Sequence, residues 1–140
     1  MIRIFQIKMT KADHDLINRE GHMSSEKNIA RMDMSIGRPL ESSMHKYFTP
    51  SYDVETDCLE AAFRLTNLWE DESKITRLNG KSHSTSVGDV AYDLDSEVLY
   101  RCANFGWKPI DEEEASSFLF EMTPKTSSEY KLFSPLETAV

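Results

Sequence analysis

The residues of this 140-residue chain whose types could do chemistry are four histidines, at positions 14, 22, 45 and 83, the cysteines Cys58 and Cys102, and a hydroxyl-rich run around His83. No histidine falls into an HExxH, HxH or Cys-His pattern, the spacings that gather zinc ligands, so no metal site is expected. The run Ser82-His83-Ser84-Thr85-Ser86 offers a nucleophile beside a base. Neighbours in an extended segment point to opposite faces, however, and these hydroxyls suit a turn or a cap better than a dyad. The five glycines are scattered and assemble neither a Walker loop nor a GxGxxG turn, so no nucleotide and no other cofactor is expected. Cys58 and Cys102 lack CxxC spacing and read as buried small hydrophobes. Asp89, Asp93, Asp95 and Glu97 cluster near one predicted hairpin, where a solvated rim is the simplest reading.

Sixteen Lys and Arg stand against 24 Asp and Glu, a formal net charge of −8. Direct nucleic-acid binding is therefore not expected, because phosphate recognition draws on clustered cations. The acids recur in clusters: Asp53, Glu55, Asp57 and Glu60, then Glu70, Asp71 and Glu72, then Asp111, Glu112, Glu113 and Glu114. The last two groups are the candidate contact surface for a partner with a basic face, either as an ordinary acidic surface or as an imitation of duplex phosphates.

These residues must be positioned by elements legible in the sequence. Residues 2–8 place Ile2, Ile4 and Gln6 on one face and Arg3, Phe5 and Ile7 on the other, the pattern of a central or covered strand. Thr10 with Asp13 predicts a helix start, with Ala12, Leu16 and Ile17 as its stripe and Gly21 as its end. A second helix is expected after Ser24, with Ile29, Met32 and Met34 inward, stopped by Gly37-Arg38-Pro39. Residues 40–44 read as a loop and His45-Lys46-Tyr47-Phe48 as the start of an extended segment that Pro50 bends or confines to an edge. Asp57 is the expected cap of a core helix carrying Leu59, Ala62, Phe63, Leu65 or Thr66, and Trp69. Asn79-Gly80 predicts a turn; Val90 and Tyr92 start a hairpin, Leu94-Asp95-Ser96-Glu97 reverses it, and residues 98–103 return, closed by residues 105–110. The acids at 111–114 suit the first turn of a helix ending in Phe118, Leu119 and Met122. The sum is a single α+β domain over residues 1–122, a small mixed or antiparallel sheet with a C-terminal hairpin packed by two to four helices. A loosely held tail follows over residues 123–140, with Tyr130, Leu132 and Phe133 as anchors. No apolar run is long enough to span a bilayer and the N-terminus lacks a signal-peptide pattern, which makes the cytoplasm the expected compartment.

The stretch Gly80-Lys81-Ser82-His83-Ser84-Thr85-Ser86-Val87-Gly88-Asp89-Val90, followed by Val98 through the Phe105-Gly106-Trp107 step to Ile110, resembles the YodL-like domain. In that family a Ser-rich S-x-S-V-x-D-V segment precedes a hairpin that ends in an aromatic-Gly-aromatic step. Thr85 stands where the family usually carries leucine, Ala103-Asn104 where it often has aspartate, and the segment between Ile17 and Pro39 is this chain's own. The resemblance implies context: a family without an established activity, found in bacteria and prominently in phages and mobile elements. With the acidic charge and missing catalytic motifs, it leads to the expectation of a non-enzymatic accessory protein that binds a host protein complex, inhibiting a defence system of anti-restriction or anti-CRISPR type. A self-assembling structural or regulatory module is the alternative. An unrecognised enzyme is the second alternative, and it requires a pocket lined by His83, Asp89, Tyr100 or Trp107.

Overall fold

The computed structural model describes residues 1–80 and 82–122, so the expectations for the tail lie outside the described residues. Among these described residues six strands form one antiparallel sheet. They are β1 (Ile2–Ile7), β2 (Phe48–Val54), β3 (Ile75–Arg77), β4 (Val90–Asp93), β5 (Val98–Ala103) and β6 (Gly106–Pro109), in the order β3-β2-β1-β4-β5-β6. Among the described residues, four α-helices accompany it: α1 (Lys11–Glu20), α2 (Glu26–Ser35), α3 (Leu59–Leu68) and α4 (Glu112–Met122). The fold is thus α+β, as the patterning indicates, and among the described residues no helix is long and apolar enough to cross a membrane.

All six residues of β1 are buried, so each face of the sheet has its own core. Ile2 and Ile4 meet Tyr52, Val54, Ala62, Leu65, Ile75 and Ala91 beneath α3. Phe5 and Ile7 meet Met34, Phe48, Val90, Leu99 and Phe118 on the side of α2 and α4. Phe118 is the hub of this second core, with its ring edge-on to Phe5 at 5.2 Å and to Phe48 at 5.4 Å between centroids.

Strand β2 serves both cores because of a bulge. Ile4 pairs with Tyr52 but Phe5 pairs with Pro50, leaving Ser51 as an extra residue. In unbroken alternation Phe48, Tyr52 and Val54 would share a face. The bulge turns Phe48 to the Phe118 side while Tyr52 and Val54 stay beneath α3. Pro50 therefore marks a bend inside a strand flanked on both sides, where its missing N–H is tolerated.

Caps decide where helices begin. Thr10 and Asp13 form the expected reciprocal box, with the Asp13 N–H donating to Thr10 Oγ1 at 3.2 Å and the Thr10 N–H to Asp13 Oδ2 at 2.7 Å. Those bonds and Lys27 hold the Asp13 carboxyl down at about 2. Asp111 caps α4, its Oδ2 accepting from the Glu113 and Glu114 N–H groups.

Several expectations are corrected. The N-cap of α3 is Cys58, not Asp57, and its thiol is exposed where a buried one was expected. The side chain makes no capping bond, as suits a weak acceptor. Met32 and Phe63 lie on the open flanks of α2 and α3, 39% and 37% exposed, while Ala30 and Asn28 take the buried positions of α2. Residues 42–47 wind as a 3₁₀ helix, so His45 is held in a turn and the strand starts at Phe48. Residues 106–109 do more than close a hairpin: they are the outer strand of a three-stranded meander. Trp69 ends α3 in the left-handed region (φ 55°), held by the Tyr52 ring at 5.8 Å and the Arg77 guanidinium at 4.7 Å.

His45 is 3% exposed, stacks edge-on to Phe118 at 5.3 Å, and neither ring nitrogen has a hydrogen-bond partner among the described residues. Burial lowers its pKa from the ordinary 6.5. Below about pH 6.5 the unfolded chain takes up a proton that the folded chain resists, so this group's effect is a loss of stability as pH falls. His45→Leu should raise stability by roughly 1 kcal/mol at neutral pH through removal of unpaired polar atoms. The gain should be larger at pH 5 than at pH 8, as read by urea denaturation at the two values.

Candidate functional site

The most polar buried region lies where the end of β1 meets the irregular segment 82–89. Gln6 is fully buried and its amide nitrogen lies 2.9 Å from Asp89 Oδ2 and 3.0 Å from the His83 carbonyl oxygen. Tyr52 donates to the same carbonyl at 2.7 Å. Asp89 Oδ2 also accepts the Ser86 N–H at 2.9 Å, closing the turn that leads into β4. Thr85, 2% exposed, shares a 2.6 Å hydroxyl contact with Thr66 of α3, and Asn67 donates to its carbonyl at 3.1 Å. A leucine at 85 would leave the Thr66 hydroxyl without this partner, which explains the threonine in physical terms. The hydroxyl-rich segment is thus a tether, and among the described residues no serine hydroxyl of the run hydrogen-bonds the His83 ring, whose Nδ1 meets the Ser84 backbone carbonyl instead.

Gly88 fixes what lies above the tether. Its φ is +96°, and a Cβ placed there would stand 3.1 Å from the backbone nitrogen of Ser35 and 3.3 Å from the carbonyl carbon of Met34. The C-terminal turn of α2 therefore rests directly on this glycine. One concavity opens on each side of the contact, and Met34 and Ser35 belong to both.

The first, about 330 Å³, is lined by His14 of α1, Arg31 of α2, and His83, Ser86 and Asp89 of the tether. Asp89 is 6% exposed, and burial pushes its carboxyl up to about 6 against the hydrogen bonds from Ser86 and Gln6 and the charges of His83 and Arg31. Of the four residues an enzyme reading requires, His83 and Asp89 meet here, while Tyr100 and Trp107 lie outside the lining. Trp107 packs beneath α3. Cys102 is buried, and its thiol is pushed up to about 11, which keeps it from acting as a thiolate.

The second concavity, about 450 Å³, lies between the end of α2 and the β5–β6 turn and is lined by Ile36, Arg101, Phe105, Lys108, Asp111 and Glu114 among others. Arg101 and Lys108 are directly opposed across β5 and β6. Arg101 points one guanidinium nitrogen at the Met34 sulfur, 3.3 Å away, and its buried Nε has no partner among the described residues.

The acids proposed as a contact surface fall into two separated places. Glu70, Asp71 and Glu72 follow α3 beside the β3 edge, whereas Asp111, Glu112, Glu113 and Glu114 follow the β6 edge, a separation of roughly 24 Å across six strands. Several are occupied internally: Asp71 accepts from Ser73, Glu72 pairs with Arg77 at 3.2 Å, Asp111 caps α4, and Glu114 accepts the Leu40 N–H at 2.7 Å. Glu70, Glu112 and Glu113 are left exposed. Of the acids near the hairpin, Asp93 stabilises its turn and Asp95 pairs with the N-terminal amine at 3.2 Å. Among the described residues, no group of three or more His, Cys, Asp or Glu is arranged to hold a metal ion. Comparison of the chain with protein-family models, with curated proteins and with solved structures gave no match in any of the three.

Two substitutions test the site's construction. Gly88→Ala should lower stability by roughly 1–3 kcal/mol, because positive φ and the backbone of Ser35 both oppose a methyl group. Asp89 binds its proton more tightly folded, at about 6, than unfolded, at 3.8, so its contribution is lost as pH rises through that window. Denaturation midpoints of the wild type should fall relative to those of Asp89→Asn between pH 4 and pH 6; parallel profiles contradict this account.

Proposed function

We propose that this chain is a non-catalytic binding module that attaches to another protein, in the setting its resemblance to the YodL-like domain suggests: a phage or mobile-element accessory protein acting on a host complex. The observation that carries this reading is the groove between α2 and the β5–β6 turn. Phe105 is 98% exposed and Ile36 69% exposed, and they flank the depression together. Within it, two cations face each other across the sheet, an arrangement that costs stability in an isolated fold. A partner that brings an apolar side chain and a carboxylate answers both features at once. The groove's own acids do so in part: the charge of Glu114 favours the Arg101 cation, but Glu114 also holds the Leu40 N–H and Asp111 is engaged in capping.

Assembly through the sheet edges is less well supported. Strand β3 is three residues long, and β6 carries Lys108 and ends at Pro109, devices that discourage strand addition. Contact through the acidic clusters remains a distinct mode, because they sit at opposite edges and call for a partner with a basic face at either one.

The test is affinity capture from bacterial lysate with wild type and two variants. Phe105→Ser with Ile36→Ser should abolish recovery of a stoichiometric partner. Lysine at Glu70, Glu112 and Glu113, which are exposed, should leave recovery within about twofold, the scale of a rim contact. Loss in the charge variant alone moves the contact to the acidic edges, and concentration-dependent sizing of the pure protein that vanishes in Phe105→Ser gives a self-assembling module.

A further inference from the structure

The cavity beside Asp89 has features that neither the tether nor the docking groove uses. Only one oxygen of this buried carboxyl is engaged: Oδ2 accepts from Gln6 and Ser86, while Oδ1 has no hydrogen-bond partner among the described residues. Closing the turn at Ser86 needs a single acceptor, which asparagine supplies without burying a charge. The second oxygen is thus surplus to the fold, and Asp89 lines the cavity. Because Gln6 and Ser86 hold the other oxygen, Oδ1 is fixed in place before anything binds.

The His83 ring is set in a similar way. The two amide hydrogens of Gln6 go to Asp89 Oδ2 at 2.9 Å and to the His83 carbonyl at 3.0 Å. The ring Nδ1 then donates to the Ser84 carbonyl at 2.8 Å, which leaves Nε2 as the ring nitrogen outside that bond. Arg31 donates through one nitrogen to Asn28 Oδ1 at 3.1 Å, and it lines the same cavity from α2. His14 of α1 adds a further nitrogen donor or acceptor to the wall. The cavity thus holds a surplus carboxylate oxygen at one wall and a cation at another. Its volume, about 330 Å³, is at the small end of the range for ligand pockets, suited to a molecule between an amino acid and a nucleotide in size.

We propose that this cavity binds a small bifunctional ligand that donates an N–H or O–H hydrogen bond to Asp89 Oδ1 and sets an anionic group, carboxylate or phosphate, against Arg31. The ligand site is separate from the docking groove, on the other side of the Gly88 contact with α2, so the two can be tested apart.

The experiment is titration of the ¹⁵N-labelled protein, followed by amide chemical shifts, with two bifunctional probes: serine, for the carboxylate source, and adenosine 5′-monophosphate, for the phosphate source. Ethylammonium and inorganic phosphate serve as half-ligands. At least one bifunctional probe should saturate shifts at Ser86, Val87, Gly88 and Asp89 with a Kd below about 1 mM, and each half-ligand should bind at least an order of magnitude more weakly. Arg31→Gln changes an exposed side chain and should weaken binding by roughly tenfold without altering the fold. Asp89→Asn keeps an acceptor for Ser86 but turns a donor toward the ligand, and should weaken it by at least as much. Phe105→Ser should have no effect. Absence of saturable shifts with either bifunctional probe, or equal affinity in Arg31→Gln, overturns the proposal.

Discussion

Strand β1 lies between β2 and β4 with all six residues buried, and two of those residues, Arg3 and Gln6, are polar. Burying a cation and an amide is tolerable only if partners are supplied. Arg3 is answered by Asp53, directly opposite on β2, through a two-pronged contact of 2.7 and 2.8 Å. A slip of one residue in the β1–β2 register would part this pair and turn both cores inside out, so the ion pair helps select the register. The amide nitrogen of Gln6 is answered by the segment 82–89, which it draws across the end of the sheet, while its oxygen has no partner among the described residues. That buried amide, together with Tyr52 on the His83 carbonyl and with Thr66 and Asn67 on Thr85, sets the position of the tether and of the groups that line the cavity from it.

The second organising contact is α2 on Gly88. Because a glycine at positive φ lets the backbone of Met34 and Ser35 approach so closely, the helix end divides the surface into two concavities of different character. On one side lie a buried carboxyl and mostly basic or neutral nitrogen groups; on the other lie exposed apolar side chains and opposed cations.

The net negative charge gives little guidance to these places. Much of it is spent locally: Asp13, Asp71, Asp93 and Asp111 each accept hydrogen bonds from backbone N–H groups, at helix starts and turns, where dipoles and orphan donors favour a carboxylate. The groove flanked by the exposed Phe105 and Ile36 instead holds two cations opposed on neighbouring strands, and so a property averaged over the chain does not point to it.

Sequence alone determined what depends on near neighbours. The two-faced pattern of β1, the Thr10–Asp13 box, the β4–β5 hairpin with its turn at residues 94–97, and Asp111 ahead of α4 all rest on contacts within a few residues, where spacing dictates geometry. Tertiary structure decided the rest. Phe63 and Met32 carry the right periodicity yet stay exposed because none of the described residues covers them, and β3, only three residues long, exists through pairing with β2. The candidate site was legible only as a suspicious segment around His83 and Asp89. His14 and Arg31 join it from more than fifty residues away in sequence, and no local spacing encodes an approach made by packing one helix end against one glycine.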